Sequence, residues 1–338
     1  MHSLEKTRTL QAGPTVSQIE YCLPEKVVTN EDLAKENPEW DFSLIEPKTG
    51  VLSRHIAGRD ERASDLAVRA AEKLFQGGNI ERDSIDTLLF CTQSPDYPLP
   101  TTACIIQDRL KLRTSIAAFD FNLGCSGYIY GLAIGSAMIK GGISEKVLLL
   151  SAETYSKYIS DTDRTSRTVF GDAGAATIID LPNNSKSLGP FILGTDGSGR
   201  DKIIVRQSDW RPNIDSKTVK NPEQYLYIDG PSIFMFTMQK VPECVRELLA
   251  KAEKTIDDVD LFIFHQASKV VIDNIVRILS LEDSKVFRGY EKIGNTVCAS
   301  IPIALKQADE QNLAKKGDLI MLVGFGVGLS WGACFVQW

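Results

Sequence analysis

Three short stretches, far apart in the chain, each set a reactive side chain among small neighbours. They are Gly124-Cys125-Ser126-Gly127, Phe264-His265-Gln266-Ala267 and Gly294-Asn295-Thr296. A thiol can hold an acyl group as a thioester. An imidazole and a carboxamide can donate hydrogen bonds to a negative oxygen beside it. Of the three histidines, His2 is terminal and His55 reads as lying near a surface loop, so His265 is the one placed to serve the thiol. Asn295 is open to two readings, a plain helix cap or an oxyanion donor. An ionised Asp could not donate, so the residue type itself separates mechanisms.

The local sequence around Cys125 predicts how it is presented. Residues 120–123 end a strand, 124–127 turn, and 128–140 run on as a helix almost free of charge that Gly141-Gly142 terminates. Such a helix is buried on all sides. A cysteine in its first turn meets the positive end of the peptide dipoles, which predicts a thiol pKa below the free value of about 8.5. The competing reading is a buried structural cysteine like the other six.

The elements that must bring these residues together follow an α/β alternation. Strands are expected at 87–92, 116–121, 147–151, 175–179, 261–264, 319–323 and 333–336. A helix is expected over 64–75 with Ser64 as its N-cap, and another over 245–254 with Pro242 near its start. Segments in the two halves resemble each other in the same order and at nearly the same offset. Asp86-Thr87-Leu88-Leu89-Phe90 matches Asp260-Leu261-Phe262-Ile263-Phe264, Gly124-Cys125 matches Gly294-Asn295, and the run after Lys146 matches the run after Gly317. This predicts an internal duplication, with halves 1–184 and 185–338 joined near Pro182-Asn183-Asn184-Ser185. Packing about a pseudo-twofold axis would make Cys125 and Asn295 equivalent helix starts facing each other, with His265 leaving a strand end of the second half.

Composition narrows the function class. The chain has 338 residues, 43% hydrophobic and 24% charged, ample for a large core. A net charge of −6 without basic blocks argues against nucleic acid and membrane surfaces as partners. No apolar run approaches the roughly 18 residues of a membrane span, and residues 1–11 lack the apolar region of a signal peptide. The seven cysteines are an odd number without metal-ligand spacing. Six sit in apolar or small-residue contexts that read as buried free thiols, so no metal is expected and the reducing cytoplasm is the expected compartment. The glycine-rich run from Gly324 to Gly332 lacks the Lys-Ser/Thr of a phosphate loop and reads as a turn aiming backbone N–H groups into a site. The run from Gly194 to Gly199 reads as a surface turn, and Phe170-Gly171-Asp172-Ala173 as structural.

Together these motifs resemble the β-ketoacyl-acyl-carrier-protein synthase III family of the thiolase superfamily. The likeness runs from Leu23-Pro24-Glu25-Lys26-Val27 through Thr49-Gly50-Val51, Arg54-His55-Ile56-Ala57, Gly124-Cys125-Ser126-Gly127, Thr162-Asp163-Arg164, Phe170-Gly171-Asp172, His265-Gln266-Ala267 and Gly294-Asn295-Thr296 to Trp331-Gly332. It implies a thiolase-like five-layered αβαβα fold from two duplicated halves, a homodimer, and a catalytic set falling on Cys125, His265 and Asn295. It also implies an oxyanion hole from the N–H groups of Cys125 and Val327, no permanently bound cofactor, and coenzyme A and phosphopantetheine thioesters as substrates. The implied reaction joins an acyl thioester to malonyl-acyl-carrier protein with loss of CO2. An acyltransferase passing the acyl group to an alcohol or amine is the alternative, though such relatives often replace the Asn with an acid.

Several positions depart from the family pattern. Val327 stands where Gly is usual, Leu44 (with Trp40 nearby) where a Trp often meets adenine, Lys48 and Lys157 where Arg is common, and Val270 where a basic residue is common. The resemblance assigns Lys269 and Arg277 to a carrier-protein rim. It places Leu99 where a residue reaches across the dimer, and Phe234 beside the acyl tunnel.

Overall fold

The computed structural model describes residues 13–181, 187–206 and 225–338. His2, the polar N-terminal residues and the expected linker at 182–185 lie outside the described residues. In chain order the elements are β1 (Thr15–Cys22), β2 (Val27–Thr29), α1 (Asn30–Glu36), α2 (Phe42–Thr49), β3 (Ser53–His55), α3 (Ala63–Gln76), β4 (Thr87–Cys91), α4 (Thr102–Arg109), β5 (Ala117–Phe121), α5 (Gly127–Lys140), β6 (Lys146–Glu153), α6 (Arg164–Arg167) and β7 (Ala173–Asp180). There follow β8 (Leu188–Thr195), β9 (Ile203–Ile204), β10 (Tyr227–Ile228), α7 (Gly230–Lys251), β11 (Leu261–Phe264), α8 (Lys269–Leu279), α9 (Ser300–Glu310), β12 (Leu319–Gly326) and β13 (Ser330–Gln337).

Two sheets carry the architecture, ordered β1-β7-β6-β4-β5 and β8-β13-β12-β11. Their pairings match step for step. β1 with β7 and β8 with β13 are antiparallel, as are β7 with β6 and β13 with β12, whereas β6 with β4 and β12 with β11 are parallel. The parallel β4–β5 pair has its counterpart in a single parallel bridge between Phe262 and Val286. One carboxylate device is also repeated. Asp86 accepts from the backbone of Glu145 and Lys146 at the start of β6, and Asp260 accepts from the backbone of Leu319 at the start of β12.

The strands are apolar on both faces because both faces are covered. In β4 and β6, Leu89 and Leu149 turn toward the central helices α5 and α9, while Leu88, Phe90, Leu148 and Leu150 turn toward Leu66, Ala70 and Leu74 of α3. In β11 and β12, Ile263, Ile320 and Leu322 face the same centre, and Phe262, Phe264, Met321 and Val323 meet α7 and α8. The layers are therefore α3/α4, sheet, α5/α9, sheet, α7/α8. The close approach of α5 requires glycine, since a Cβ at Gly131 would lie 2.6 Å from Leu149 Cδ1.

Three local expectations are corrected. Ser64 is not the N-cap of α3. Arg62 occupies that position, Asp65 accepts its N–H at 2.7 Å, and the Ser64 hydroxyl instead donates to Asp96. Pro242 does not precede a helix; it lies buried within the 22-residue α7, whose N-terminal proline is Pro231. Burial of Val241, Cys244, Val245 and Leu248 against the sheet outweighs the proline penalty of about 3 kcal/mol. Cys104 is exposed on α4, unlike the other six cysteines, and all seven are free.

Candidate active site

Cys125 sits just ahead of α5, whose N-cap is Ser126. The glycine-rich turn after β12 closes over it. A Cβ at Gly326 would lie 2.9 Å from both Cβ and Sγ of Cys125, and one at Gly324 would lie 2.9 Å from the Cys125 carbonyl oxygen. Only glycine admits this approach. The Ser126 and Ser330 hydroxyls meet at 2.7 Å, and Ser330 donates to the Val327 carbonyl, which holds the turn in place. The turn from Gly194 to Gly199 is no mere surface feature: Asp196 and Leu329 exchange two backbone hydrogen bonds of 2.8 and 3.0 Å that brace the same loop.

His265 follows β11, and its N–H donates to the Val323 carbonyl at 2.7 Å. Its ring stands edge-on to Phe325 at 5.5 Å, and Nδ1 lies 2.7 Å from Ser300 Oγ at the start of α9. Phe325 falls between the two glycines that contact Cys125, so the thiol and the imidazole share the 323–326 strand end. Asn295 does not cap α9, whose N-cap is Ala299; its side chain meets the first N–H of the short 3-10 turn Val297–Ala299 ahead of that helix. Its backbone N–H donates to the Val169 carbonyl, its carbonyl accepts from Gly171, and its side-chain Oδ1 accepts from the Val297 N–H at 2.9 Å. That bond assigns the amide orientation and leaves Nδ2 as the donor. Val297 takes φ +53°, rare for a β-branched residue, and its buried side chain joins Phe170, Tyr155 and Cys125 in one cluster. The three motifs thus converge from both halves of the chain.

The electrostatics differ from the sequence expectation. Burial pushes the Cys125 thiol up to about 12, and the nearby Glu153 carboxyl adds to this. The N–H groups of Val327 and of Cys125 itself pull it back only in part. Desolvation therefore outweighs the helix dipole, and the expected low thiol pKa is not found. Burial also lowers His265 to about 3. Thiol and imidazole are both neutral at rest, with no ion pair between them.

A cavity of about 580 Å³ is lined by Gln93, Asn122, Tyr155, Tyr158, Leu226 and Val327 among others; Cys125 does not line it but packs in one cluster with its Tyr155 and Leu226. Sequence reading passed over Gln93, Tyr155, Tyr158, Ser300 and Glu153. Glu153, fully buried at the end of β6, accepts from the Gln93 N–H at 2.9 Å and the Ser94 hydroxyl at 2.6 Å, and burial raises it to about 7. A lone acid closing an otherwise apolar strand was the signal available for it.

The residues assigned to carrier and coenzyme A contacts scatter over the surface. Lys48 is exposed near the end of α2, against the start of α8, where Gly50 would meet the Lys269 side chain. Lys269 is paired with Asp273, and Arg277 donates to Asn274 at 2.6 Å. Lys157 spends its ammonium on the Arg59 and Glu61 carbonyls. Leu44 is exposed, but Trp40 is buried with Val28 and Leu33 and is not available to stack on a nucleotide. Leu99 is exposed, and Phe234 is half-buried on α7. His55 is half-buried in β3 rather than in a loop, with Nδ1 2.6 Å from the Pro24 carbonyl.

A β-ketoacyl-[acyl-carrier-protein] synthase III of Natranaerobius thermophilus is 36% identical over 319 residues, 94% of this chain and 96% of that one. The chain belongs to the 3-oxoacyl-[acyl-carrier-protein] synthase III family. Residues 119–197 match the family's synthase III region and residues 249–338 its C-terminal region. A crystal structure of a 3-oxoacyl-(acyl-carrier-protein) synthase III superposes with a TM-score of 0.92 at 38% identity, covering 96% of this chain and all of that one. The priming β-ketosynthase of the R1128 polyketide pathway superposes with a TM-score of 0.87 at 26% identity, covering 96% of each chain. The thiolase-like five-layered αβαβα fold expected from the sequence is the fold found.

Proposed function

We propose that this synthase III family member catalyses decarboxylative Claisen condensation of an acyl thioester with malonyl-acyl-carrier protein, giving a 3-oxoacyl thioester for fatty-acid or specialised lipid synthesis. The observation that carries the reading is the joint burial of the three residues: Cys125 and His265 meet the 324–326 strand end, and Asn295 is bonded to Val297, which packs in the Cys125 cluster. Cys125 Sγ attacks the donor carbonyl, and the N–H groups of Cys125 and Val327 receive the oxyanion. The donor's C–S bond breaks and its thiol departs with the proton. Malonyl thioester then loses CO2, and the electron pair of the broken C–C bond passes into an enolate. The enolate oxygen accepts hydrogen bonds from Asn295 Nδ2 and His265 Nε2, and its carbon attacks the acyl-Cys125 carbonyl to expel the Cys125 thiolate, which takes a proton from solvent to restore the resting thiol.

The neutral sites suit this cycle. A neutral imidazole donates from Nε2 when its Nδ1 accepts, and the Ser300 hydroxyl is the donor placed at Nδ1. The condensation needs donors to an enolate and no general base.

The halves 1–184 and 185–338 are read as the duplicated units, which the matched strand orders support. A homodimer is read from β5, an edge strand with Ala117 and Phe119 exposed, and from Leu99, 71% exposed in the loop before α4. Lys48, Lys269 and Arg277 are read as the rim that receives an acyl-carrier protein or acyl-coenzyme A, with Phe234 beside the tunnel. A cytoplasmic location is read from the free thiols. Among the described residues no helix is long and apolar enough to cross a membrane. The test is incubation of the purified protein with acyl thioesters and malonyl-carrier protein. Release of CO2 with a 3-oxoacyl product is expected, and absence of both from every donor refutes the proposal.

A further inference from the structure

The cavity that adjoins the Cys125 cluster has a wall more polar than a plain hydrocarbon chain calls for. Gln93 lines it and is held by four hydrogen bonds. Its N–H donates to Glu153 at 2.9 Å, and its carbonyl accepts from the Tyr158 hydroxyl at 3.1 Å. Its side-chain Oε1 accepts from the Tyr155 hydroxyl at 3.1 Å, and its Nε2 donates to Asn122 Oδ1 at 3.1 Å. These bonds fix which end of the amide faces which way and leave Gln93 with a second N–H beyond the one given to Asn122. The Asn122 amide nitrogen has no partner among the described residues. The wall adjoins the nucleophile, because a Cβ at Gly124 would lie 2.6 Å from Gln93 Oε1 and 2.4 Å from Val327 Cγ1. Gln93 is half-buried and Asn122 exposed, so both are hydrated until an acyl chain covers them; a chain that cannot accept from them strips that water without replacing it.

Resting on the reading of Cys125 as the acylated nucleophile, we propose that the acyl group loaded here carries a hydroxyl or oxo oxygen on its chain. Gln93 and Asn122 donate to that oxygen, and plain alkyl groups of equal length are the poorer substrates. Loading itself is an ordinary exchange. The donor's thioester C–S bond breaks, the Cys125 S–C bond forms, and the Cys125 proton ends on the released thiol.

The experiment follows acyl-Cys125 by intact mass. Matched pairs are offered both as coenzyme A and as carrier-protein thioesters: butyryl against β-hydroxybutyryl and acetoacetyl, and hexanoyl against β-hydroxyhexanoyl. An oxygenated member is expected to load about three- to tenfold faster, the value of one hydrogen bond. Gln93→Met is expected to erase that preference, chiefly by slowing the oxygenated donor. Equal or faster loading of the alkyl members by the native protein overturns the proposal and leaves the condensation reading intact, as does a preference that survives in Gln93→Met. No loading of Cys125 by any donor removes the condensation reading and this proposal with it. If Gln93→Met does not fold, as judged by circular dichroism, Tyr155→Phe decides in its place. It unlocks the Gln93 amide at the cost of one oxygen and should narrow the preference; an unchanged preference counts against the proposal.

Discussion

Ser300→Ala tests the tautomer argument most directly. The Ser300 hydroxyl is buried, 2.7 Å from His265 Nδ1 at the start of α9. If it donates there, it holds the imidazole as the Nε2–H form and fixes the ring against Phe325. A buried hydrogen bond of this kind is worth about 0.5–1.5 kcal/mol net. Its loss reduces the population of the correctly protonated, correctly aimed ring by up to about tenfold. The effect should fall on decarboxylation alone, because acyl transfer to Cys125 uses the backbone N–H groups of Cys125 and Val327. Single-turnover intact-mass kinetics would report acyl-Cys125 formation, and CO2 release from malonyl-carrier protein would report the second step. The expected result is acylation within about twofold of the native rate and condensation slowed roughly five- to tenfold. Equal slowing of both steps, or no slowing of CO2 release, refutes the assignment of Nε2 as the donor. Ser300→Thr, which restores a hydroxyl, should recover part of the loss.

Other outcomes follow from the same geometry. Asn295→Asp removes the amide donor and should slow condensation on the order of a hundredfold or more while acyl-Cys125 still forms; retained condensation would exclude Asn295 from the enolate site. Because the Cys125 thiol is pushed up to about 12, its thiolate fraction grows through the whole alkaline range. Alkylation of the resting enzyme by iodoacetamide should therefore rise about tenfold per pH unit without levelling off below about pH 10, and a plateau near neutrality would contradict this. Glu153 is raised to about 7 in the fold, so it binds its proton more tightly folded than unfolded. Its contribution to stability is present below the unfolded carboxyl range and is lost as pH rises through about 7. Glu153→Gln should flatten the decline in thermal midpoint between about pH 5 and pH 7.5, and a parallel decline would argue against the buried carboxyl as its source. Leu149→Ala opens a hole between β6 and α5 and should cost about 3 kcal/mol in denaturant unfolding.

Much of this was legible in the sequence because the two halves repeat the same signals. Asp86 and Asp260 mark the same position before matched strands, and the turns at Cys125, His265 and Asn295 carried enough local chemistry to be singled out. What escaped depended on tertiary context. β1 mixes polar and apolar residues, and β8 contains glycine and proline, so neither reads as a strand alone. Pro242 misled because a buried helix face overrides a local breaker. The sign of the Cys125 shift could not be read, since helix dipoles follow from sequence but the depth of burial does not. Gln93, Tyr155 and Tyr158 meet only once β4, β6 and the turn after β6 are assembled.

The unequal ends of the two sheets bear on how copies of this chain can associate. β5 offers five residues of backbone at its sheet's edge, whereas the equivalent place in the other sheet is reduced to the Phe262–Val286 bridge. A second copy laid antiparallel along β5 would consume both such edges in one twofold contact. The counterpart in the other sheet, with a single rung, offers no such ladder. Of the two corresponding sheet ends, only β5 therefore presents a continuous strand to which a second copy could add.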